Sequence, residues 1–151
     1  MNSAGDLTRR LRGSVVVAAM ASLVVAAVAT ASNATKGGSY VGSYSDGATD
    51  AISFKVSANS KEVIDLVVST PVKCQGGCGG IGSASRASAS ISKNSTFKVK
   101  LKLVFPPGST KSEGTETVTG KFLKHGRATG TVSSHFNGGG IDRTVHWTAT
   151  S

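Results

Sequence analysis

Two closely spaced cysteines are the most distinctive chemical feature of this chain. Cys74 and Cys78 bound the run Cys-Gln-Gly-Gly-Cys, whose glycines allow a turn that brings both α-carbons within disulfide distance. We therefore expect one disulfide between them. The alternative is a nucleophilic or redox-active Cys78. Three residues separate the cysteines, where thioredoxin-like motifs have two, and no helix N-terminus follows that could stabilise a thiolate.

A second feature is a row of lysines in the segment 97–105, where lysine and apolar residues alternate. Period-two alternation is typical of a half-buried strand, so Lys98, Lys100 and Lys102 share its solvent face at intervals of about 6.7 Å. That interval is close to the spacing of charges along an extended polyanion. The basic residues that could extend this surface from other strands are Lys93, Lys121, Lys124 and Arg127.

This basic face predicts binding to an anionic polymer or cell-wall component, such as teichoic acid, lipid head groups, acidic polysaccharide or extracellular nucleic acid. Specific nucleic-acid recognition is disfavoured, because nearly all the aromatic residues are needed for a core and cannot stack on bases. A lectin is disfavoured for the same reason. The simplest alternative is that the lysines only keep the wet face soluble and discourage pairing with other strands.

Two histidines raise the question of a metal site. His135 and His146 project outward by parity, and a hairpin that pairs Phe136 with Val145 would set them side by side. Zn²⁺ or Cu²⁺ would need further ligands, of which Asp142 is the nearest in sequence. We expect exposed polar neighbours on adjacent strands instead, and no bound metal.

The carboxylates suggest neither a cation site nor a catalytic acid. Asp46 and Asp50 flank a short loop but lack the six to eight oxygens that Ca²⁺ requires. Asp65 interrupts the apolar run 63–68, and strict alternation places it outside, beside a cationic neighbour. The same alternation places Ile64, Leu66 and Val68 inside.

Catalytic motifs are missing from the sequence. It contains no Gly-x-Ser-x-Gly elbow, no His-Glu-x-x-His and no phosphate-cradling loop. We therefore expect no catalytic residue and no cofactor.

The first 31 residues are typical of a secretory leader. Three arginines precede an uncharged, alanine-rich and valine-rich stretch, and a small-x-small cleavage site ends at Ala31. A second possible site ends at Ala34, and an uncleaved membrane anchor is the alternative. The sequence predicts a helical signal peptide over 1–31, a short linker over 32–38 and a secreted domain over 39–151, without stable membrane insertion after cleavage.

The predicted mature part remains basic. Without residues 1–31 the chain has 14 basic and seven acidic residues, a net charge of +7 compared with +9 for the whole. An even number of cysteines outside the cytoplasm agrees with a disulfide.

Short alternating runs separated by turn-forming residues fill the mature part. No segment longer than a few residues repeats apolar positions at helical spacing. We predict an all-β fold, an antiparallel β-sandwich or small barrel of about eight strands. A companion layer must cover the apolar face of the segment 97–105, because one strand buries too little apolar surface to offset its ordering entropy. The predicted strands lie near 39–44, 52–56, 62–70, 84–91, 97–105, 118–122, 128–136 and 145–149.

Several short motifs occur in an order that resembles a known group of domains. They are Gly38-x-Tyr40-x-Gly42, Ile52-Ser-Phe54-x-Val56, Val118-x-Gly120-x-Phe122, Ala128-Thr-Gly130-Thr131 and Trp147-Thr-Ala149. In this order they resemble small, uncharacterised secreted β-domains of actinobacteria. The resemblance implies a compact sandwich or barrel and no established activity.

Together these observations predict a non-enzymatic secreted binding module whose lysine-bearing face contacts an anionic polymer. Two other functions remain open. One is a protease inhibitor or small hydrolase that uses the Cys74–Cys78 loop, and the other is a purely structural envelope protein.

Overall fold

Eight antiparallel strands form a closed barrel in the computed structural model, which describes residues 33–48, 51–73, 79–106, 111–137 and 142–151. Each strand pairs with the next along the chain, and the last pairs with the first. The all-β class and the number of strands are thus confirmed, and a barrel is the architecture. The strands are β1 (Ser39–Tyr44), β2 (Ile52–Val56), β3 (Glu62–Lys73), β4 (Gly79–Ser90), β5 (Thr96–Val104), β6 (Ser112–Leu123), β7 (Arg127–Phe136) and β8 (Arg143–Thr150).

β5 confirms the predicted alternation of buried apolar residues and exposed lysines. Phe97, Val99, Leu101 and Leu103 are buried, and the lysines between them are exposed. The other strands of the closed barrel cover the apolar side of β5, so the predicted companion layer is part of the same sheet. Phe105 lies beyond the end of β5, after a register shift at Leu103, and is only half-buried.

β3 departs from strict alternation at Asp65. The backbone of Asp65 has a φ of 54°, and the register between β2 and β3 shifts there, so the strand contains a bulge. On the N-terminal side of the bulge, the extra residue exchanges the inward-facing and outward-facing positions of the strand. Val63 is therefore buried, and the prediction that Ile64 faces inward is wrong, since Ile64 is only partly buried. Leu66, Val68 and the outward Asp65 agree with prediction.

Aromatic rings fill the centre of the barrel. Tyr40 and Phe54 stack with their centroids 4.9 Å apart, and Phe54 meets Trp147 edge-on at 6.0 Å. A Cβ at Gly120 would lie 2.1 Å from the ring of Phe97, so glycine is required there for the ring to pack. Gly120, noted in the sequence within Val118-x-Gly120-x-Phe122, thus makes room for a ring on the neighbouring strand β5.

The segment 33–38, predicted to be a linker, packs against one end of the barrel. Ala34 is buried in the main apolar cluster, and its carbonyl accepts a hydrogen bond from Ser60 Oγ at 3.4 Å. The backbone N–H of Asn33 donates to Ser95 Oγ at 3.0 Å. These contacts join the segment to the β2–β3 and β4–β5 turns. The predicted signal peptide lies outside the described residues.

The other end of the barrel carries the connections β1–β2, β3–β4, β5–β6 and β7–β8. A second, smaller apolar cluster of Val72, Leu103 and Phe136 lies toward this end, with Phe105 packed against it. Cys74 and Cys78 belong to the β3–β4 connection but lie outside the described residues, so their pairing stays a prediction.

Candidate functional site

Lysines line the outer face of β5. Lys98, Lys100 and Lys102 are all exposed, and their partners on β6 are Thr119, Thr117 and Thr115, respectively. Each lysine therefore stands beside a threonine whose side chain points to the same outer face.

Two further basic residues continue the row across the next strands. Lys121 on β6 lies two residues beyond Thr119, the partner of Lys98, and is therefore its diagonal neighbour. Arg127 on β7 lies two residues before Thr129, the partner of Lys121. The five predicted residues thus form one continuous row, which runs along β5 and then diagonally across β6 and β7. We call this row the basic stripe: Lys98, Lys100, Lys102, Lys121 and Arg127.

Few negative charges lie near the basic stripe. None of its five residues forms an ion pair within the described part of the chain. On the neighbouring elements, Glu113 pairs with Lys111 at 3.2 Å and Asp142 pairs with His135. Lys93 and Lys124, the other predicted extensions, are exposed in the β4–β5 and β6–β7 turns, next to this sheet.

Hydroxyl groups cover the outer face beside the stripe. One row across the sheet runs from Lys100 through Thr117 and Ser133 to Thr144. The hydroxyls of Ser133 and Thr144 are 2.9 Å apart, and those of Thr119 and Thr131 are 2.8 Å apart. A shallow groove of about 510 Å³ follows the row from Lys100 to Thr144. The face therefore offers cationic and hydroxyl donors side by side.

The two histidines face outward as predicted, but they are not neighbours. His146 pairs with Thr131, whereas His135 pairs with Thr115 on the opposite side of β7. The predicted pairing of Phe136 with Val145 is wrong, since Val132 occupies that position. In this register Gly130 is the partner of Trp147, and a Cβ at Gly130 would lie 2.7 Å from Trp147 Cζ2, so glycine leaves room for the indole.

His135 instead pairs with Asp142. Its Nδ1 lies 2.6 Å from Asp142 Oδ2, while the backbone N–H of Phe136 donates to Asp142 Oδ1 at 3.0 Å. These two hydrogen bonds, that of His135 first, lower the pKa of Asp142. Within the described ranges, no three histidine, cysteine, aspartate or glutamate side chains are close enough to bind a metal.

The other predicted carboxylates have cationic partners or lie outside the described residues. Asp65 forms an exposed ion pair with Lys55, 3.4 Å apart, which agrees with the expected cationic neighbour. Asp46 accepts a hydrogen bond from the guanidinium of Arg143. Asp50 lies outside the described part of the chain.

A buried carboxyl group inside the barrel was not identified from the sequence. Glu116 on β6 is fully buried and accepts hydrogen bonds from Ser134 Oγ at 2.9 Å and from the hydroxyl of Thr70, both on Oε1. Burial raises the pKa of Glu116, and these hydrogen bonds only partly oppose the rise. Parity along β6 could have revealed it, because Glu116 lies two residues before the inward-facing Val118.

Tyr44 adds a second ionisable group to the interior. It is 3% exposed, and burial raises the pKa of its phenol to about 12. Glu116 contributes to this rise, so the two groups lie within electrostatic range of each other. Burial thus disfavours the charged form of both groups.

Comparison with known proteins gives no functional information. No protein-family model, curated protein or solved structure matches the chain. In the part of the chain that the structure describes, there is no helix with the length and apolar character needed to cross a bilayer.

Proposed function

We propose that the chain is a secreted, non-enzymatic binding module that holds an acidic glycopolymer of a cell surface or matrix against the basic stripe. The observation that carries the proposal is the convergence of five basic side chains, none of them ion-paired within the described residues, on one face of the sheet. A row of fixed cations attracts a polyanion even when each separate contact is weak.

The surroundings of the stripe favour a glycopolymer over a nucleic acid. Threonine and serine hydroxyls beside the lysines can exchange hydrogen bonds with sugar hydroxyls or with anionic oxygens. The aromatic side chains in the described residues lie inside the barrel or, for Phe105, half-buried at its end. Single-stranded nucleic acids are usually bound through exposed rings that stack on bases.

A binding assay on immobilised dextran sulfate tests the proposal. The variant is K98Q/K100Q/K102Q, and the matched control is K36Q/K55Q/K61Q, which removes the same charge from exposed positions on the N-terminal segment, β2 and the β2–β3 turn. We expect the first variant to bind about tenfold more weakly, because exposed charge pairs contribute ~0.2–1 kcal/mol each. The control should lose much less.

Three results would contradict the proposal. Binding that does not weaken as salt is added would exclude an electrostatic surface, because exposed charges are screened within about 10 Å at ~0.1 M salt. Equal losses in both triple variants would show that net charge matters but the stripe does not. Stronger binding to a single-stranded oligonucleotide than to dextran sulfate would favour a nucleic-acid ligand.

A further inference from the structure

Basic and acidic side chains both line the groove on the outer face. Lys100 on β5 is not ion-paired in the described residues, whereas His135 on β7 pairs with Asp142, which also lines the groove, and Arg143 on β8 pairs with Asp46. The hydroxyls of Thr117, Ser133 and Thr144 also line the groove. Hydroxyl donors beside an unpaired lysine suit an anionic oxygen group.

Asp142 determines which nitrogen of His135 is available to a ligand. A carboxylate can only accept a hydrogen bond, so the Nδ1 atom of His135, 2.6 Å away, carries the proton and donates it. Asp142 is itself held by the backbone N–H of Phe136. Nε2 is therefore the nitrogen left for a ligand, an acceptor on the neutral ring and a donor on the protonated one.

The groups around His135 come from four elements. On β6 its partner is Thr115, and Glu113 lies two residues earlier in an ion pair with Lys111. On β5, Lys102 is the partner of Thr115. Ser133 lies two residues away on the same strand as His135.

Two charged residues, Asp142 and Arg143, lie on the other side of His135, and Arg143 is hydrogen-bonded to Asp46. Asp142 is therefore the only carboxylate in the described residues that contacts the ring.

We propose that this groove is a subsite for one oxyanion group of the bound polymer, a sulfate or phosphate ester, and that His135 binds this group only when its ring is protonated. The inference rests on the proposed function, because it assigns one part of the same face. We therefore expect the polymer to bind more tightly in mild acid, and we expect His135 to account for the gain in affinity.

The test compares binding of dextran sulfate at about pH 8 and about pH 5, at constant ionic strength, for the wild type and three single variants. The chain has three histidines, so H135Q has two matched controls, H146Q on the same face and H125Q in the β6–β7 turn. We expect the wild type to gain about three- to tenfold in affinity on acidification, since hydrogen bonds to charged groups are the stronger ones. H135Q should lose most of this gain, and H125Q and H146Q should keep it.

A second readout separates binding from a merely structural role. If the protonated ring binds the ligand, dextran sulfate must shift the titration of the His135 ring proton in an NMR spectrum to higher pH, by reciprocal linkage. Phosphorylated dextran in place of dextran sulfate shows which ester the groove prefers. Full acid gain in H135Q, or a His135 titration that the ligand does not shift, would overturn the subsite. Absence of binding at every pH would instead overturn the proposed function.

Discussion

Replacing Glu116 by glutamine tests the buried carboxyl group. Glutamine has nearly the same shape, and its Oε1 can still accept hydrogen bonds from Ser134 and Thr70. The substitution removes the ability to ionise, and it places an amide NH2 where the buried Oε2 has no hydrogen-bond partner in the described residues. A buried carboxyl with a raised pKa stabilises the fold fully below its unfolded-state pKa, and this contribution is lost as the pH rises through the folded-state pKa.

The expected effect on stability follows from this linkage. At about pH 4 the carboxyl is mostly protonated in both states, so the difference in unfolding free energy between E116Q and the wild type there reflects the amide alone. Between about pH 4 and about pH 8 this difference should move in favour of E116Q, by up to ~1.4 kcal/mol for each pH unit between the unfolded and folded pKa of Glu116. For a domain of this size, each kcal/mol corresponds to about 3–6 °C in Tm.

Urea unfolding at the two pH values measures the difference. Trp147 is the single tryptophan and is 1% exposed, so its fluorescence reports on the barrel interior. E113Q is the control on the same strand, because Glu113 is partly exposed in an ion pair that contributes less than about 1 kcal/mol. An advantage of E116Q that is equally large at both pH values, or absent at both, would refute a raised pKa for Glu116.

Two further predictions concern packing and backbone geometry. G120A should destabilise the barrel by about 1–3 kcal/mol, because the new Cβ would lie 2.1 Å from the Phe97 ring, whereas S85A at an exposed site should change stability by less than about 0.5 kcal/mol. A thermal melt compares them, and equal melting temperatures would contradict the packing argument. D65V should cost about 1–3 kcal/mol, because a β-branched residue tolerates a φ of 54° poorly, while D65N should lose only the exposed ion pair with Lys55. If urea unfolding shows D65N to be as unstable as D65V, loss of the ion pair explains the destabilisation, and the argument from the φ angle at the bulge is contradicted.

Local patterns predicted most of the fold. The alternation along β5 identified both its buried and its exposed face, because side-chain parity depends only on the extended backbone. Parity failed at Ile64, because the bulge at Asp65 inserts one residue that no composition signal marks. The closed barrel was not distinguished from a sandwich, because both bury the same alternating pattern and differ only in whether the last strand pairs with the first.

The candidate site was predicted as a set of residues but not as an arrangement. The sequence identified the lysines of β5 by spacing, while their alignment with Lys121 and Arg127 depends on the β5–β6 and β6–β7 registers. The pairing of His135 with Asp142 could not be predicted, because it depends on the β7–β8 register, which places Val132 and not Phe136 opposite Val145. These long-range contacts have no signature in a short segment of sequence.

Mapping the ligand-contact surface by NMR tests the basic stripe most directly. Dextran sulfate is added stepwise to the isotopically labelled protein, and shifts of the lysine side-chain and backbone amide signals are followed. We expect the largest shifts on the outer faces of β5, β6 and β7, and we expect them to become smaller as salt is added. Shifts concentrated on β2, β3 or the N-terminal segment, with β5 unchanged, would contradict this expectation.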